Sequence, residues 1–186
     1  MKRHKAARVF MIVIVVVIQI IFLIMIAKEK YEADNFAAIL VLVLMIMTLL
    51  FGYNYLDLHH DDYSYEKLSV AIGVPIGAVL CYLLHTTTDL GSVISAALIG
   101  VLASFLPLFK KECEYFKKLP LAIYCGVFVG MSSLEIAPSI YVVFAGGLAA
   151  GLFYMLSKNL FVGMGGKLGT IAFGGVVAVT LINWIS

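Results

Sequence analysis

Five residues that could bind a metal ion lie within six consecutive positions of this chain. They are Asp57, His59, His60, Asp61 and Asp62. Imidazole and carboxylate ligands together suit zinc, manganese or iron, although their spacing matches no known zinc motif. The stretch is therefore predicted to be a divalent metal site, a docking site for a partner protein, or a charged loop in water.

A second candidate is the lysine in the glycine-rich stretch FVGMGGKLGT, where Lys167 follows Gly165 and Gly166. Neither the phosphate loop GxxxxGK[ST] nor the dinucleotide pattern GxGxxG fits, because Leu168 occupies a position that each motif reserves for another residue. Two interpretations remain. The stretch is either a turn whose lysine anchors the inner lipid headgroups, or an interrupted helix whose free amides and lysine line a polar pathway.

Further polar candidates stand at the ends of apolar segments. His85 and Asp89 enclose a threonine-rich turn, and Glu135 follows Ser132 and Ser133 in a later turn. Ionisable groups near a membrane interior are costly and usually face a cavity or a partner. These five residues are predicted either to line an outward-facing polar vestibule on a transport pathway, or to lie in interfacial water.

No catalytic motif is complete in the sequence. GMSSL at residues 130–134 begins like GxSxG, but Leu134 replaces the final glycine and no histidine follows it. HExxH is absent, and KKECEYFKK is too short and too acidic for nucleic-acid binding. We therefore expect no enzymatic activity, no nucleic-acid partner, and no cofactor apart from a divalent metal at His59 and His60.

The elements that must position these residues belong to a very apolar chain. It has 186 residues, of which 63% are hydrophobic and 13% charged, with a mean hydropathy of +1.06. Such values are typical of multi-pass membrane proteins and not of soluble domains. The three cysteines form no CxxC pair, so neither a disulfide framework nor a zinc site is indicated.

Seven apolar segments are about long enough to cross a hydrocarbon core of roughly 30 Å as helices. They cover residues 9–27, 36–56, 68–85, 90–109, 119–136, 139–156 and 168–184. The first is expected to be a retained signal anchor, since it is longer than the apolar part of a leader peptide. The prediction is an all-α polytopic membrane protein, with residues 1–186 forming a single integral membrane domain.

The distribution of basic residues predicts the orientation of the chain. With the N-terminus inside, inner regions would hold eleven lysines and arginines, whereas outer regions would hold only Lys28 and Lys30. Cytoplasmic loops collect basic residues. We therefore expect seven spans in the cell's inner membrane, with the N-terminus inside and the C-terminus outside.

Small residues separate the first two segments from the other five. Of sixteen glycines, only Gly52 precedes residue 73, and later glycines recur at four-residue spacing, as at Gly126 and Gly130. Residues four apart share a helix face, and small faces allow helices to pack closely in lipid. Helices 3–7 are therefore predicted to form a tightly packed body, and the first two a flank facing lipid or another subunit.

Together these features predict a small transporter or channel for an ion or small solute, working as a homo-oligomer among membrane lipids. The alternative is a sensor or scaffold subunit that transports nothing. Such a subunit would dock a cytosolic partner protein through the basic inner loops and the His/Asp-rich loop.

Overall fold

The computed structural model describes residues 2–32, 35–55, 64–110, 112–158 and 166–185. In these ranges the chain forms nine helices and no strand, so the all-α prediction is confirmed. The helices are α1 (Lys2–Glu32), α2 (Phe36–Tyr55), α3 (Leu68–Ala71), α4 (Gly73–Thr87), α5 (Gly91–Ser104), α6 (Leu106–Phe109), α7 (Glu114–Gly130), α8 (Ile140–Leu156) and α9 (Lys167–Ile185).

Two stretches of the described residues are long and apolar enough to cross a membrane. They are Leu68–Thr87, which contains α3 and α4, and Gly91–Phe109, which contains α5 and α6. Shorter apolar helical stretches are Phe36–Thr48, Ile140–Leu156 and Lys167–Ile182. Length and composition thus identify two membrane-capable stretches, and the seven spans stay a prediction.

The helix in the fifth apolar segment differs at both ends from the predicted bounds of 119–136. Helix α7 starts earlier, at Glu114, where an acidic side chain suits the positive end of the helix dipole and pairs with Lys118 one turn later. It ends at Gly130. The Ser132 hydroxyl donates to the Val129 carbonyl oxygen at 2.8 Å, which closes the last turn and leaves residues 131–139 as turns.

Proline interrupts both of the long apolar stretches. Pro75 has no N–H to donate to the carbonyl of Ala71, and the helix breaks at Ile72 between them. A Cβ at Gly151 of α8 would lie 3.2 Å from that Ala71 oxygen, so α8 approaches the break closely. Pro107 follows a second break, at Phe105 between α5 and α6.

The contacts within the chain divide it into two compact units. One comprises Met1–Tyr63 with Asn159–Phe161, and the other comprises Ser64–Lys158 with Val162–Ser186. In the first unit α1 contacts α2, and the Asn35 side chain accepts a hydrogen bond from the Ala38 amide at 3.1 Å to cap α2. The prediction of one integral membrane domain is not tested by this division.

In the second unit, α4 packs along both α7 and α8, α5 packs on α7, and α9 packs on α8 and α7. Glycines lie at the closest approaches. A Cβ at Gly126 would overlap the Val74 carbonyl of α4, and one at Gly147 would lie 2.8 Å from the Pro75 Cα. The four-residue glycine spacing therefore marks real helix contacts, in which backbones approach with no side chain between them.

Candidate functional site

A buried carboxylate lies at the end of the second unit that is predicted to face the cytoplasm. The Glu66 amide donates to the Met155 carbonyl oxygen at 3.1 Å, which ties the segment before α3 to the last turn of α8. Only 8% of the Glu66 residue is exposed. Its Oε1 accepts a hydrogen bond from the Lys67 amide at 3.2 Å. A charge buried to this extent requires compensating partners.

Two lysines from other elements provide that compensation. The Lys118 Nζ, on α7, lies 3.8 Å from Glu66 Oε1, and the Lys158 Nζ, just after α8, lies 3.9 Å from Glu66 Oε2. Lys118 also pairs with Glu114 at 3.2 Å. Direct ammonium–carboxylate hydrogen bonds are about 2.7–2.9 Å long, so both lysines are held by charge attraction at distances longer than a hydrogen bond.

A third lysine reaches the same place from α9. The Lys167 Nζ donates to the Lys158 carbonyl oxygen at 2.8 Å. The last carbonyls of α8 have no partner within the helix, and a cation there also suits the negative end of the helix dipole. Gly166 has a φ of +82°, a left-handed conformation that favours glycine and lets α9 begin directly at Lys167. The Lys167 ammonium is therefore hydrogen-bonded to a backbone carbonyl of the protein itself.

We call Glu66, Glu114, Lys118, Lys158 and Lys167 the Glu66 cluster. The hydrogen bond to Glu114, followed by the charge of Glu66, raises the pKa of Lys118, and the Lys118 partner lowers the pKa of Glu114. Burial lowers the pKa of Lys167, and the Glu66 charge opposes this only in part. In this cluster Lys118 is therefore well paired with carboxylates, whereas the positive charge of Lys167 is only partly compensated.

At the opposite end of this unit, the polar residues predicted for a vestibule lie apart. His85 is half-buried, its ring is edge-on to Tyr82 with 5.3 Å between centroids, and its Nε2 is buried with no hydrogen-bond partner among the described residues. Asp89 and Glu135 are exposed. Among the described residues no ion pair or hydrogen bond joins these three side chains, so the vestibule stays a prediction.

The two serines of that prediction have different surroundings. Ser132 closes the end of α7 and lines a cavity of about 10 Å³ together with Val129, Ala137 and Val143. A cavity of that size holds about one water molecule. Ser133 is exposed in the turn that follows. Neither serine contacts His85 through a hydrogen bond in the described part of the chain.

Several predicted site residues lie outside the described residues. These are Gly165 and the five candidate metal ligands, Asp57, His59, His60, Asp61 and Asp62. Within the described ranges, no group of three or more His, Cys, Asp or Glu side chains is arranged to hold a metal ion. The metal site and the docking site stay predictions.

Sequence reasoning did not identify Glu66 as a site residue. Standing between Tyr65 and Lys67 before an apolar segment, it reads as an ordinary loop charge. One sequence signal was present, because several lysines stand on the predicted inner side and a carboxylate there has more than one cation to attract it. They are Lys67, Lys110, Lys111, Lys117, Lys118, Lys158 and Lys167. Which cations it meets depends on the packing of α7, α8 and α9.

No protein-family model matches this chain, and no curated protein or solved structure is significantly similar to it.

Proposed function

We propose that the chain is a multi-pass protein of the cell's inner membrane that moves a small ion or solute across it. Seven spans with the N-terminus inside would use α1, α2, α3 with α4, α5 with α6, α7, α8 and α9. The observation that carries the transport proposal is the buried Glu66 carboxylate, paired with lysines at the end of helices that are otherwise apolar.

Insertion in a membrane is supported by the sizes of the buried and exposed residues. Among the described residues, no side chain that is less than 2% exposed is larger than valine, whereas Ile94, Leu102 and Phe109 are all more than half exposed. A surface of this kind would be an unusually large apolar patch in water. In lipid it needs no covering, because hydrocarbon solvates it and small residues provide the contacts between helices.

Transport is supported by the position of the Glu66 charge beside a predicted apolar span. Ionisable groups retained in or beside apolar spans commonly mark the path of an ion or solute. Glu66 also precedes the helix break at Ile72 by only a few residues. Bending at this break would first have to open the hydrogen bond from the Glu66 amide to the Met155 carbonyl oxygen, and Glu66 would then move relative to Lys118 and Lys158. The ion pairs would then open and close an inner gate.

A homo-oligomer is supported by the apolar character of two grooves on the surface of the second unit. One, of about 330 Å³, is lined by Leu80, Leu84 and Ile99 among other apolar residues. The other, of about 240 Å³, lies between α4 and α8 and includes Pro75 and Leu148. Apolar grooves suit acyl chains or a neighbouring helix, so they are surfaces on which a second copy of the chain would pack.

The test is flux through liposomes containing the purified full-length chain, with a panel of monovalent ions and small solutes. We expect flux in the wild type and a changed rate or voltage dependence in Glu66→Gln. The exposed Glu135→Gln at the other end is expected to alter flux less. Absence of flux for every solute would overturn the proposal, and so would flux that Glu66→Gln and Lys167→Ala both leave unaltered.

One observation favours the alternative function, a non-transporting scaffold. Lys118 and Lys158 each keep about a third of the side chain exposed, 34% and 29%, on the side predicted to carry the basic loops. Such a face could dock an acidic cytosolic protein. A stoichiometric soluble partner that co-purifies in detergent and is lost on deleting residues 57–62 would support the scaffold, and flux without any such partner would contradict it.

A further inference from the structure

The lysines of the Glu66 cluster have more hydrogen-bonding capacity than the protein uses. An ammonium group can donate three hydrogen bonds. The Lys158 Nζ pairs with Glu66 Oε2 at 3.9 Å, a distance too long for a direct hydrogen bond. Lys118 has one close partner, Glu114 at 3.2 Å. Both ammonium groups are therefore oriented by Glu66 but have donors left for another acceptor.

The cluster also carries an excess of positive charge. Lys118, Lys158 and Lys167 converge on it, and Glu66 and Glu114 are its two carboxylates. Lys67 lies near enough to act on Glu114 electrostatically and adds to the excess. Burial already makes the charge of Lys167 unfavourable. A negatively charged ligand at this position would relieve both effects.

The backbone supplies further donors at the same place. Helix α9 has 19 residues and begins at Lys167. The first hydrogen bond inside the helix is donated by the Thr170 amide to the Gly166 carbonyl oxygen at 2.9 Å. The amides of residues 167–169, in the first turn, therefore have no partner within the helix. Amides without a partner inside the helix and the helix dipole both favour a negative group there.

From this arrangement we infer that Lys118, Lys158 and the first turn of α9 form a binding site for an anionic phosphate group. Glu66 is a positioning residue whose carboxylate attracts both lysines to one place. The phosphate group is either the headgroup of an anionic phospholipid or a free phosphate from the cytosol. Lysine binds phosphate as a point charge, and basic pockets between helices at the inner membrane surface commonly take such headgroups.

The inference needs the chain to be a membrane protein, as proposed above, but it does not need the chain to transport anything. Flux and phosphate binding are measured separately, so failure of one does not decide the other. A transport-inactive protein that binds phosphate groups at Lys158 would contradict only the proposed function.

The test uses the full-length chain in nanodiscs of phosphatidylcholine, either alone or mixed with phosphatidylglycerol. Inorganic phosphate is titrated into the first kind in a separate arm. The readouts are the thermal midpoint and the lipids retained in native mass spectrometry. Stabilisation by phosphatidylglycerol alone identifies a lipid headgroup, and stabilisation by inorganic phosphate identifies a soluble anion. Stabilisation by neither overturns the inference.

Matched variants locate the site. Removing one lysine near an anionic surface weakens binding about fivefold. We therefore expect Lys158→Gln and Lys118→Gln each to reduce the affinity for the phosphate group by about that factor. Lys117→Gln removes an exposed lysine next to Lys118 and should change affinity less. Lys158→Arg keeps the charge and should retain binding. Equal effects of Lys117→Gln and Lys158→Gln would show general surface attraction and overturn the site.

Discussion

The two ends of the second unit hold similar polar residues but arrange them differently. At the end predicted to face outward, Asp89 and Glu135 are exposed, and no ion pair joins them within the described part of the chain. At the other end, Glu66 is buried and attracts Lys118 and Lys158 from elements far apart in the chain. The two carboxylates at the turns between helices are exposed to solvent. The charged residues at the opposite end, where several helix ends meet, form a network of ion pairs. Convergence of the backbone thus decides which charges act together.

The largest effect is expected from Gly126→Val, which tests whether the inner network depends on the contact between α4 and α7. The new side chain would overlap the Val74 carbonyl, and backbone cannot move aside as a flexible side chain can. We expect the free energy of unfolding to fall by about 3 kcal/mol or more, measured by detergent-denaturant titration in mixed micelles.

Gly169→Ala is the matched control, because a Cβ there would meet no atom within 4 Å. Alanine also favours a helix over glycine by about 1 kcal/mol. This variant should be as stable as the wild type or slightly more so. Wild-type stability of Gly126→Val would show that the close approach of α4 and α7 is not needed.

The next largest effect is expected from Glu66→Gln, which removes the charge at the centre of the inner network and keeps the shape. Lys118 and Lys158 would lose their shared carboxylate. Because both lysines are partly exposed, we expect a loss of about 1 to 3 kcal/mol in the free energy of unfolding. Glu112→Gln, an exposed acid before α7, is the control and should have little effect. Equal effects would remove the distinction between buried and exposed carboxylates.

A smaller effect, in the pH dependence of stability, should distinguish the lysines within the network. Burial lowers the pKa of Lys167 below its ordinary 10.5, so the unfolded chain binds more protons and stability rises as pH approaches 10.5. The pKa of Lys118 is raised, so its stabilisation is complete below 10.5 and is lost as pH rises through its higher folded value.

Thermal midpoints recorded from neutral pH to above 10.5 would check both signs. Lys167→Met should abolish the rise below 10.5, and Lys118→Met should abolish the fall above it. If the rise persists in Lys167→Met, then burial of Lys167 is not its cause.

The smallest effect is expected at the other end. Asp89→Asn and Glu135→Gln change exposed side chains that have no ion pair among the described residues. Each should change the free energy of unfolding by less than about 0.5 kcal/mol. A loss as large as that of Glu66→Gln would mean that these residues form a network as well, and the contrast between the two ends would fail.

Much of the local structure could be predicted from the sequence. Every predicted apolar segment overlaps a helix, or a pair of helices separated by one residue, because long apolar runs favour helix even where they contain glycine or proline. Helix α7 begins and ends earlier than the predicted segment 119–136, because the Glu114–Lys118 pair and the Ser132 hydroxyl act over one turn and are weak signals within a long apolar run.

The candidate site could be predicted less well. Lys167 was identified from its glycine-rich surroundings, yet its partner, the Lys158 carbonyl, lies just after another helix, α8. Glu66 was missed because nothing near it in the chain distinguishes a buried carboxylate from a solvated one. Its burial arises from Met155, Lys118 and Lys158, and their positions depend on how α7 and α8 pack.

By itself, the sequence determined where the helices form and which faces can touch, because helix formation and four-residue spacing are local properties of the chain. Tertiary structure alone decided that Gly126 and Gly147 both face α4, and that one carboxylate gathers lysines from α7 and from the end of α8. The physical reason is the range of the interactions. Backbone hydrogen bonds span a single turn, whereas charge pairing acts between whatever groups the folded backbone brings within a few ångströms.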